Sequence, residues 1–457
     1  MTINRRHFLA APLVAQSAPP ARVRSYREAV REVPIAGQAD VVVCGAGPAG
    51  VVAALSAARS GARTLLIEWH GCLGGIWTAG MLSNIIDYQR QTGILPEILD
   101  RLKKRGAQID PARYDVEAMK LVLEQMCLEA GVDVLLHTHV VAAAKDAKNR
   151  LSLVITENKS GRQAWEGKVF IDTTGDGDLA AAAGCRFEIG HPVTRETQPM
   201  TLMALVMGLN YPELNKLRLV RGDGVSSYTP PPRGVSSQEA KKNLLAEMRR
   251  AGVDPSYEGV TLFPTRMDLM ALMANHEYGV SALDAKGIST ATMRARQEVN
   301  QIVDALRSLG GPWKNIRLVA TAEQIGVREG RRIRGRYTVT KEDLIRGARF
   351  EDAVCRVSFV VDIHSTNPAR GKGVTSEGIK VKPYDVPLRS LIAEDVDGLL
   401  MAGRCISGDF FAHASYRVTG YSTAMGEAAG KVAATAAKTG RLPHQVPARE
   451  AGINPPA

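Results

Sequence analysis

Two stretches near the C-terminal end carry the residue types best suited to move a proton beside a reacting carbon. In Phe410-Phe411-Ala412-His413-Ala414-Ser415-Tyr416-Arg417, His413 and Arg417 have the spacing of neighbours on one helical face. In Val360-Val361-Asp362-Ile363-His364, alternation puts Asp362 and His364 on one face of a strand. A carboxylate beside an imidazole orients it and raises its pKa, so either histidine could take a proton from a hydroxyl. Arg417 could stabilise an anion. The densest basic run is Arg328, Arg331, Arg332, Arg334 and Arg336. It reads equally well as a solvated face or as a set that holds an anionic group.

The element that would position such chemistry lies at the other end of the chain. Asp40-Val41-Val42-Val43-Cys44 is a short apolar strand running into Gly45-Ala46-Gly47-Pro48-Ala49-Gly50, followed by Ala-rich helical sequence up to Gly61. The first glycine permits a tight turn, the second lets backbone amides approach a pyrophosphate, and the third lets helix and strand pack closely. A second strand, Thr64-Leu65-Leu66-Ile67, ends in Glu68, where a carboxylate can accept both ribose hydroxyls. This complete strand, turn, helix and strand unit specifies a dinucleotide, with FAD and NAD both open.

Further glycine blocks follow. Gly74-Gly75 is a flexible loop soon after Glu68. Val169-Phe170-Ile171-Asp172 reads as a strand leading to Thr173-Thr174-Gly175-Asp176-Gly177-Asp178. Val396 to Met401 reads as another strand, ending in Gly403-Arg404 and running through Gly408-Asp409 to a helix with Gly426-Glu427-Ala428-Ala429-Gly430. Together these blocks, from about residue 38 to 440, resemble the bacterial FAD-dependent oxidoreductases with the glutathione-reductase-type FAD fold. The resemblance implies FAD as cofactor, with Gly45 to Gly50, Glu68, Gly74, Gly75, Thr174, Gly175, Asp176, Gly403, Arg404, Gly408 and Asp409 around it. It sets Asp409 near the ribityl and pyrophosphate groups, and the helix after Tyr421 with its N-terminus toward the flavin. It also brings His413 beside the ring, which makes His413 the preferred acid/base, His364 a second substrate-facing group, and Arg417 the stabiliser of the reduced flavin's charge. Thr173 departs from the usual alanine. Cys72, just before the double glycine, reads as a buried inert thiol, with covalent flavin attachment or a redox thiol as alternatives.

Asp115 to Ala130, followed by Gly131, has the apolar spacing of a capped amphipathic helix. Val132 to Leu136 and Val140 to Ala144 read as strands. Leu151 to Glu157 and Ala164 to Ile171 read as a hairpin turning at Lys159-Ser160-Gly161. The Met- and Leu-rich run Pro199 to Met207 reads as core strand. The expected fold class is α/β, a split Rossmann-like FAD-binding domain (38–185 and 351–440) carrying an inserted α+β substrate or cap domain (186–350), with a C-terminal tail (441–457). No second strand–GxGxxG–helix unit is present, so electrons would pass to an external acceptor such as oxygen, a quinone or a carrier protein.

Composition agrees with an enzyme of this kind. The 457 residues are 45% hydrophobic and 23% charged, outside the disordered and low-complexity classes. Six scattered cysteines without a CxxC pair argue against a disulfide scaffold, a structural zinc or a thioredoxin-type centre, and no metal site is expected. The net charge of +11 comes without a nucleic-acid motif. No apolar run is long enough to span a membrane. Asn4-Arg5-Arg6-His7-Phe8-Leu9 resembles a twin-arginine export signal over residues 1–18, with 19–37 a linker, which suggests a periplasmic or exported protein, with a cytoplasmic one as the alternative. The expected activity is hydride removal from CH–OH of a small polar substrate. The alternatives are a fumarate-reductase-like C=C reductase and a non-catalytic flavin-fold binding protein.

Overall fold

The computed structural model describes residues 25–220, 236–266 and 268–455. The expected export signal lies outside them. A short N-terminal unit ends at Val33, and its described residues carry no helix or strand; the main body runs from Pro34.

At the centre of the main body is a seven-stranded sheet. The strand Ile35–Cys44 lies between Thr64–Ile67 and Gly161–Asp172, parallel to both, with Val43 opposite Leu66 on one side and Ile171 on the other. Asp133–Leu135 extends one edge in parallel. Leu399–Met401 pairs in parallel with the C-terminal end of Gly161–Asp172, while the N-terminal part of that strand forms an antiparallel meander with Leu151–Asn158 and His139–Lys145. Val41, Val42, Val43, Phe170, Ile171, Leu399 and Leu400 are fully buried, as expected of strands covered on both faces. The chain leaves Ile35–Cys44 toward one neighbour and returns much later beside the other. The crevice at the carboxyl end of that strand is thus a topological switch point, where ligands bind in open α/β sheets.

The first strand starts earlier than its apolar run: Ile35 and Gly37 already pair with Ala164 and Trp165, so the end of the expected linker is sheet. A Cβ on Gly37 would lie 3.0 Å from the Trp165 ring, and glycine lets this backbone pass beneath the indole. The amphipathic helix forms as Val116–Glu129, its N-terminus capped by Asp115, which accepts from the amides of Glu117 and Ala118. The C-terminal segment is no loose tail, since Val446, Ala448, Ala451 and Ile453 are buried in the main core.

The helix Pro48–Arg59 packs against the last long helix, Thr419–Thr439. Gly426 and Gly430 allow this contact, since a Cβ at either would meet the carbonyl of Ala49 or Ala53 at 2.1 and 2.3 Å. This crossing fixes the N-terminus of the second helix at the mouth of the glycine turn. That helix begins at Thr419, ahead of the expected start after Tyr421.

A second, antiparallel sheet of four strands has the order Thr261–Pro264, Leu269–Met273, Ala204–Met207, Arg317–Thr321. The helices Ser237–Arg250 and Ala285–Ser308 bury Leu244, Met248, Ile302 and Leu306 in the cluster that includes Val206, Met270 and Leu272 of this sheet. Pro199 to Met207 is only partly strand. Regular pairing begins at Ala204, and Thr201 and Met203 line a cavity shared with the first sheet.

Candidate active site

One cavity of about 660 Å³ runs from the glycine turn to the second sheet. Its two ends are built differently.

At the first end, each glycine of the turn can be judged by what a side chain would strike. A Cβ on Gly45 would meet the Thr173 carbonyl at 2.6 Å, and one on Gly50 the Gly45 carbonyl at 1.8 Å, so the protein's own packing demands both. A Cβ on Gly47 would meet nothing within 4 Å, although Gly47 lines the cavity. Its backbone is extended, so conformation does not require glycine there either. The space beside Gly47 is kept clear for something other than protein. The helix Pro48–Arg59 starts there with no side-chain cap, leaving its first amides and positive dipole end for an anion. Thr173 takes part by directing its hydroxyl at the carbonyls of Cys44 and Gly45, which holds the turn.

Glu68 is buried at the cavity wall, its two carboxylate oxygens accepting from the amides of Ala46 and His70. Gly74 donates its amide to the Ala46 carbonyl, and Gly75 lies so close to Gly47 that a Cβ would reach its Cα at 2.9 Å. Pro48, Ala49, Thr174, Gly175, Gly403 and Arg404 line the same end. The helix Thr419–Thr439 also begins there without a side-chain cap, with the buried hydroxyl of Thr419 unpartnered. Two uncapped helix N-termini, a ribose-ready carboxylate and a cleared glycine fit FAD, the pyrophosphate falling to the first helix and the electron-rich edge of the ring to the second.

Several residues expected around the cofactor lie outside the cavity lining. Ala46, Gly50 and Gly74 shape the turn without lining the cavity, and Asp176 pairs with Arg404 at 2.9 Å. Gly408 and Asp409 lie outside the cavity lining. Asp409 caps the short helix Phe410–Tyr416 by accepting from Ala412 and also accepts from the Lys341 amide. Cys72 is buried outside the lining, with its thiol pKa raised by burial. All six cysteines are free and buried. No group of three or more metal-ligating side chains occurs among the described residues.

The second end gathers side chains from five distant segments. Arg417 donates to the carbonyl of Asp362 and to its Oδ2 at 3.2 Å, and to Gln198 Oε1 at 3.3 Å. His364 Nε2 lies 3.3 Å from the same Asp362 oxygen, while His364 Nδ1 meets His276 Nε2 at 3.0 Å. His276 Nδ1 then meets the Tyr278 hydroxyl at 3.1 Å, and that hydroxyl donates to the Ser256 carbonyl at 2.9 Å. Tyr257 stacks on His276 with ring centroids 4.0 Å apart. Asn275 holds this layer in place, its amide bonding both the N–H and the C=O of Leu202.

Electrostatics at this end differ from the expectation. Burial and then the Arg328 charge push His364 down to about 3, outweighing Asp362, so its imidazole is neutral at neutral pH. Burial and Arg328 also hold His276 far below the usual histidine range. Asp362 stays ionised, held low by His364, Arg417 and Arg328 against its desolvation.

His413 does not reach the cavity. It is 0% exposed, both ring nitrogens are unpartnered, and burial keeps it neutral. The spacing to Arg417 misleads because the helix ends at Tyr416 with Arg417 as its C-cap, and the chain turns into the next helix at Thr419. Asp362, His364 and Arg417 do come together at the cavity wall. Sequence reasoning missed His276, Tyr278 and Gln198, which carry no spacing signal and meet His364 only through the fold.

Among solved structures, a geranylgeranyl bacteriochlorophyll reductase-like protein from Thermoplasma acidophilum aligns at TM-score 0.45 and 14% identity over 88% of this chain and 80% of that one. A flavin-dependent brominase aligns at TM-score 0.47 and 12% identity over 91% and 83%. In sequence, a thiamine thiazole synthase from Aeropyrum pernix is 37% identical over 101 residues, which is 21% of this chain and 36% of that protein. The chain thus spans about a third of that relative's length. The profile of the FAD-dependent oxidoreductases matches residues 40–452, nearly the whole main body. With that match and a dinucleotide end fitted to FAD, the chain belongs to the FAD-dependent oxidoreductase family and is an enzyme whose cofactor is FAD.

Proposed function

We propose that the protein oxidises a CH–OH group of a small polar substrate and that the Asp362–His364 pair takes the hydroxyl proton. The observation that carries this reading is that one cavity joins the cleared space at Gly47 to this pair. FAD, when bound, supplies the two-electron oxidant that accepts the hydride. The chain's part is the proton.

The donors present set the direction of the hydrogen bonds around the pair. With His364 Nε2–H donating to Asp362 Oδ2, His364 Nδ1 accepts from His276 Nε2–H, and His276 Nδ1 accepts from the Tyr278 hydroxyl, which also reaches the Ser256 carbonyl. Asp362 Oδ2 is then taken by His364 and Arg417, and Oδ1, which accepts no bond from the described residues, is the oxygen left for a substrate proton. A proton leaving the substrate hydroxyl binds Asp362 Oδ1, while His364 and Arg417 hold the carboxylate in place. The pair acts as one titrating unit. Arg417 keeps Asp362 ionised and fixes its position.

No second dinucleotide-binding unit appears among the described residues, which supports oxygen, a quinone or a carrier protein as the final electron acceptor. Export through Arg5-Arg6 is part of the same proposal. Replacing both arginines by lysine should retain the protein in the cytoplasm, and recovery of an intact N-terminus only from the cytoplasm of the native host would overturn it.

A second reading, reduction of a C=C bond next to an anionic group, draws on the guanidinium groups at this end. Anaerobic mixing of the FAD-loaded protein with a panel of hydroxy compounds separates the two. Bleaching of the flavin by an alcohol supports oxidation. Bleaching by none of them, with pre-reduced protein reoxidised by an unsaturated acid, favours the second reading.

A further inference from the structure

Four arginines line the cavity: Arg113, Arg328, Arg404 and Arg417. Three have a carboxylate of their own. Arg113 lies 3.3 Å from Asp110, Arg404 2.9 Å from Asp176, and Arg417 3.2 Å from Asp362. Among the described residues, Arg328 has no carboxylate within 4.0 Å. Within its own basic run it also stands apart, because Arg331, Arg332, Arg334 and Arg336 pair with Asp178, Glu329, Glu394 and Asp397. The two readings of that run therefore divide by residue: four members are neutralised, and one faces the cavity.

Desolvation without a counter-charge is costly for a guanidinium, and its effect shows in the partly buried Arg328, which is drawn down to about 10, mainly by desolvation. Its orientation is fixed from one side. Nη1 donates to the Pro199 carbonyl at 2.7 Å and to Thr201 Oγ1 at 2.8 Å, which uses both of its hydrogens. The Nε and Nη2 hydrogens, the parallel pair that matches the two oxygens of a carboxylate, make no bond to the described residues. The unpartnered side-chain nitrogens nearby are donors as well: Arg417 Nε and Gln198 Nε2 are buried without an acceptor. Asp362 is the carboxylate this end already has, and Arg417 and His364 occupy its Oδ2.

We propose that Arg328 anchors a carboxylate carried by the substrate. This rests on the reading that the substrate reacts at this end of the cavity, and it names the substrate class as a carboxylic acid. Arg328, Asp362 and His364 line the same cavity and the Arg328 charge acts on His364, so a carboxylate placed on Arg328 holds the remainder of a small molecule beside the Asp362–His364 pair. By neutralising that charge it also removes one of the two main causes that hold His364 low, so binding an acid readies the pair to accept a proton.

The test is binding, read without turnover. The FAD-loaded protein is titrated with acetate, malonate and benzoate and with the matching neutral compounds acetamide, malonamide and benzamide, following the absorbance of the bound flavin. At least one acid should bind about 10-fold or more tightly than its amide. Arg328→Gln, which keeps a donor for Pro199, should weaken that acid by about 10- to 100-fold with FAD content unchanged. Arg328→Lys, which restores the charge without the fork, should fall between the two. His364→Asn should bind the acid nearly as well as the wild type, because the anchor does not depend on the proton acceptor. Equal binding of acid and amide, no binding of any acid to the wild type, or undiminished binding to Arg328→Gln would each overturn the proposal. Failure of the proton reading shows separately, as wild-type flavin reduction in His364→Asn.

Discussion

The two ends of the cavity present polar groups by opposite means. The glycine-turn end uses backbone: uncapped amides at two helix N-termini, and a carboxylate set by the amides of Ala46 and His70. The second end uses side chains, with the buried His364 and His276 and the partly buried Arg328, Arg417 and Asp362 at close quarters. Backbone donors keep their charge and position at any pH and tolerate changes in neighbouring side chains. A cluster of buried ionisable groups can change its protonation during a reaction, and it is sensitive to the loss of any one charge. On the proposed function, binding is placed where the groups do not titrate, and chemistry where they can.

The sharpest way to break this comparison is at the glycines. Gly47→Leu should abolish FAD binding and give a colourless protein whose FAD-free melting temperature matches that of FAD-free wild type, because the new side chain meets only the cleared space. Gly50→Leu should fail to fold, since its Cβ would overlap the Gly45 carbonyl. A folded, yellow Gly47→Leu protein would refute the account of the backbone end.

At the other end, Asp362→Asn should retain FAD and slow flavin reduction by on the order of 10² or more, since it removes the acceptor beside His364 and the charge that balances Arg417. Stopped-flow bleaching compared with FAD content checks this.

A smaller effect concerns stability. His276, His364 and His413 are held below the usual histidine pKa in the folded protein. An unfolded chain takes up a proton at each near pH ~6.5, and the folded one does not. Their contribution is therefore complete above about pH 6.5 and is lost as the pH falls toward the folded values, by about 1.4 kcal/mol per pH unit for each histidine. Urea unfolding between pH ~7 and pH ~5 should show that slope. His413→Leu, which removes two unpartnered buried nitrogens, should flatten it by about 1.4 kcal/mol per unit without loss of stability at neutral pH.

The contrast also explains what was legible in the sequence. The backbone end is contiguous: strand, turn, helix and Glu68 follow one another, and each glycine has a local physical reason, so residues 40 to 68 reveal both fold and cofactor class. The hairpin at Lys159-Ser160-Gly161 and the helix capped by Asp115 are local for the same reason. The second end is assembled from Gln198, His276, Arg328, Asp362 and Arg417, whose proximity exists only after two sheets have packed. Only Asp362 and His364, two residues apart, left a local trace. His413 shows the converse error. Its spacing to Arg417 is real, yet a break between two helices turns the imidazole into the core.

The central claim is that the proton acceptor is the Asp362–His364 pair at the cavity wall, and the most direct measurement is anaerobic rapid mixing of wild type, His364→Asn and His413→Asn with an acid substrate, following flavin bleaching across pH. The account predicts that His364→Asn reduces its flavin about 10²–10⁴-fold more slowly, that His413→Asn stays near the wild-type rate, and that the wild type shows no limb near pH ~6.5. Slow reduction in His413→Asn with a normal rate in His364→Asn would contradict it.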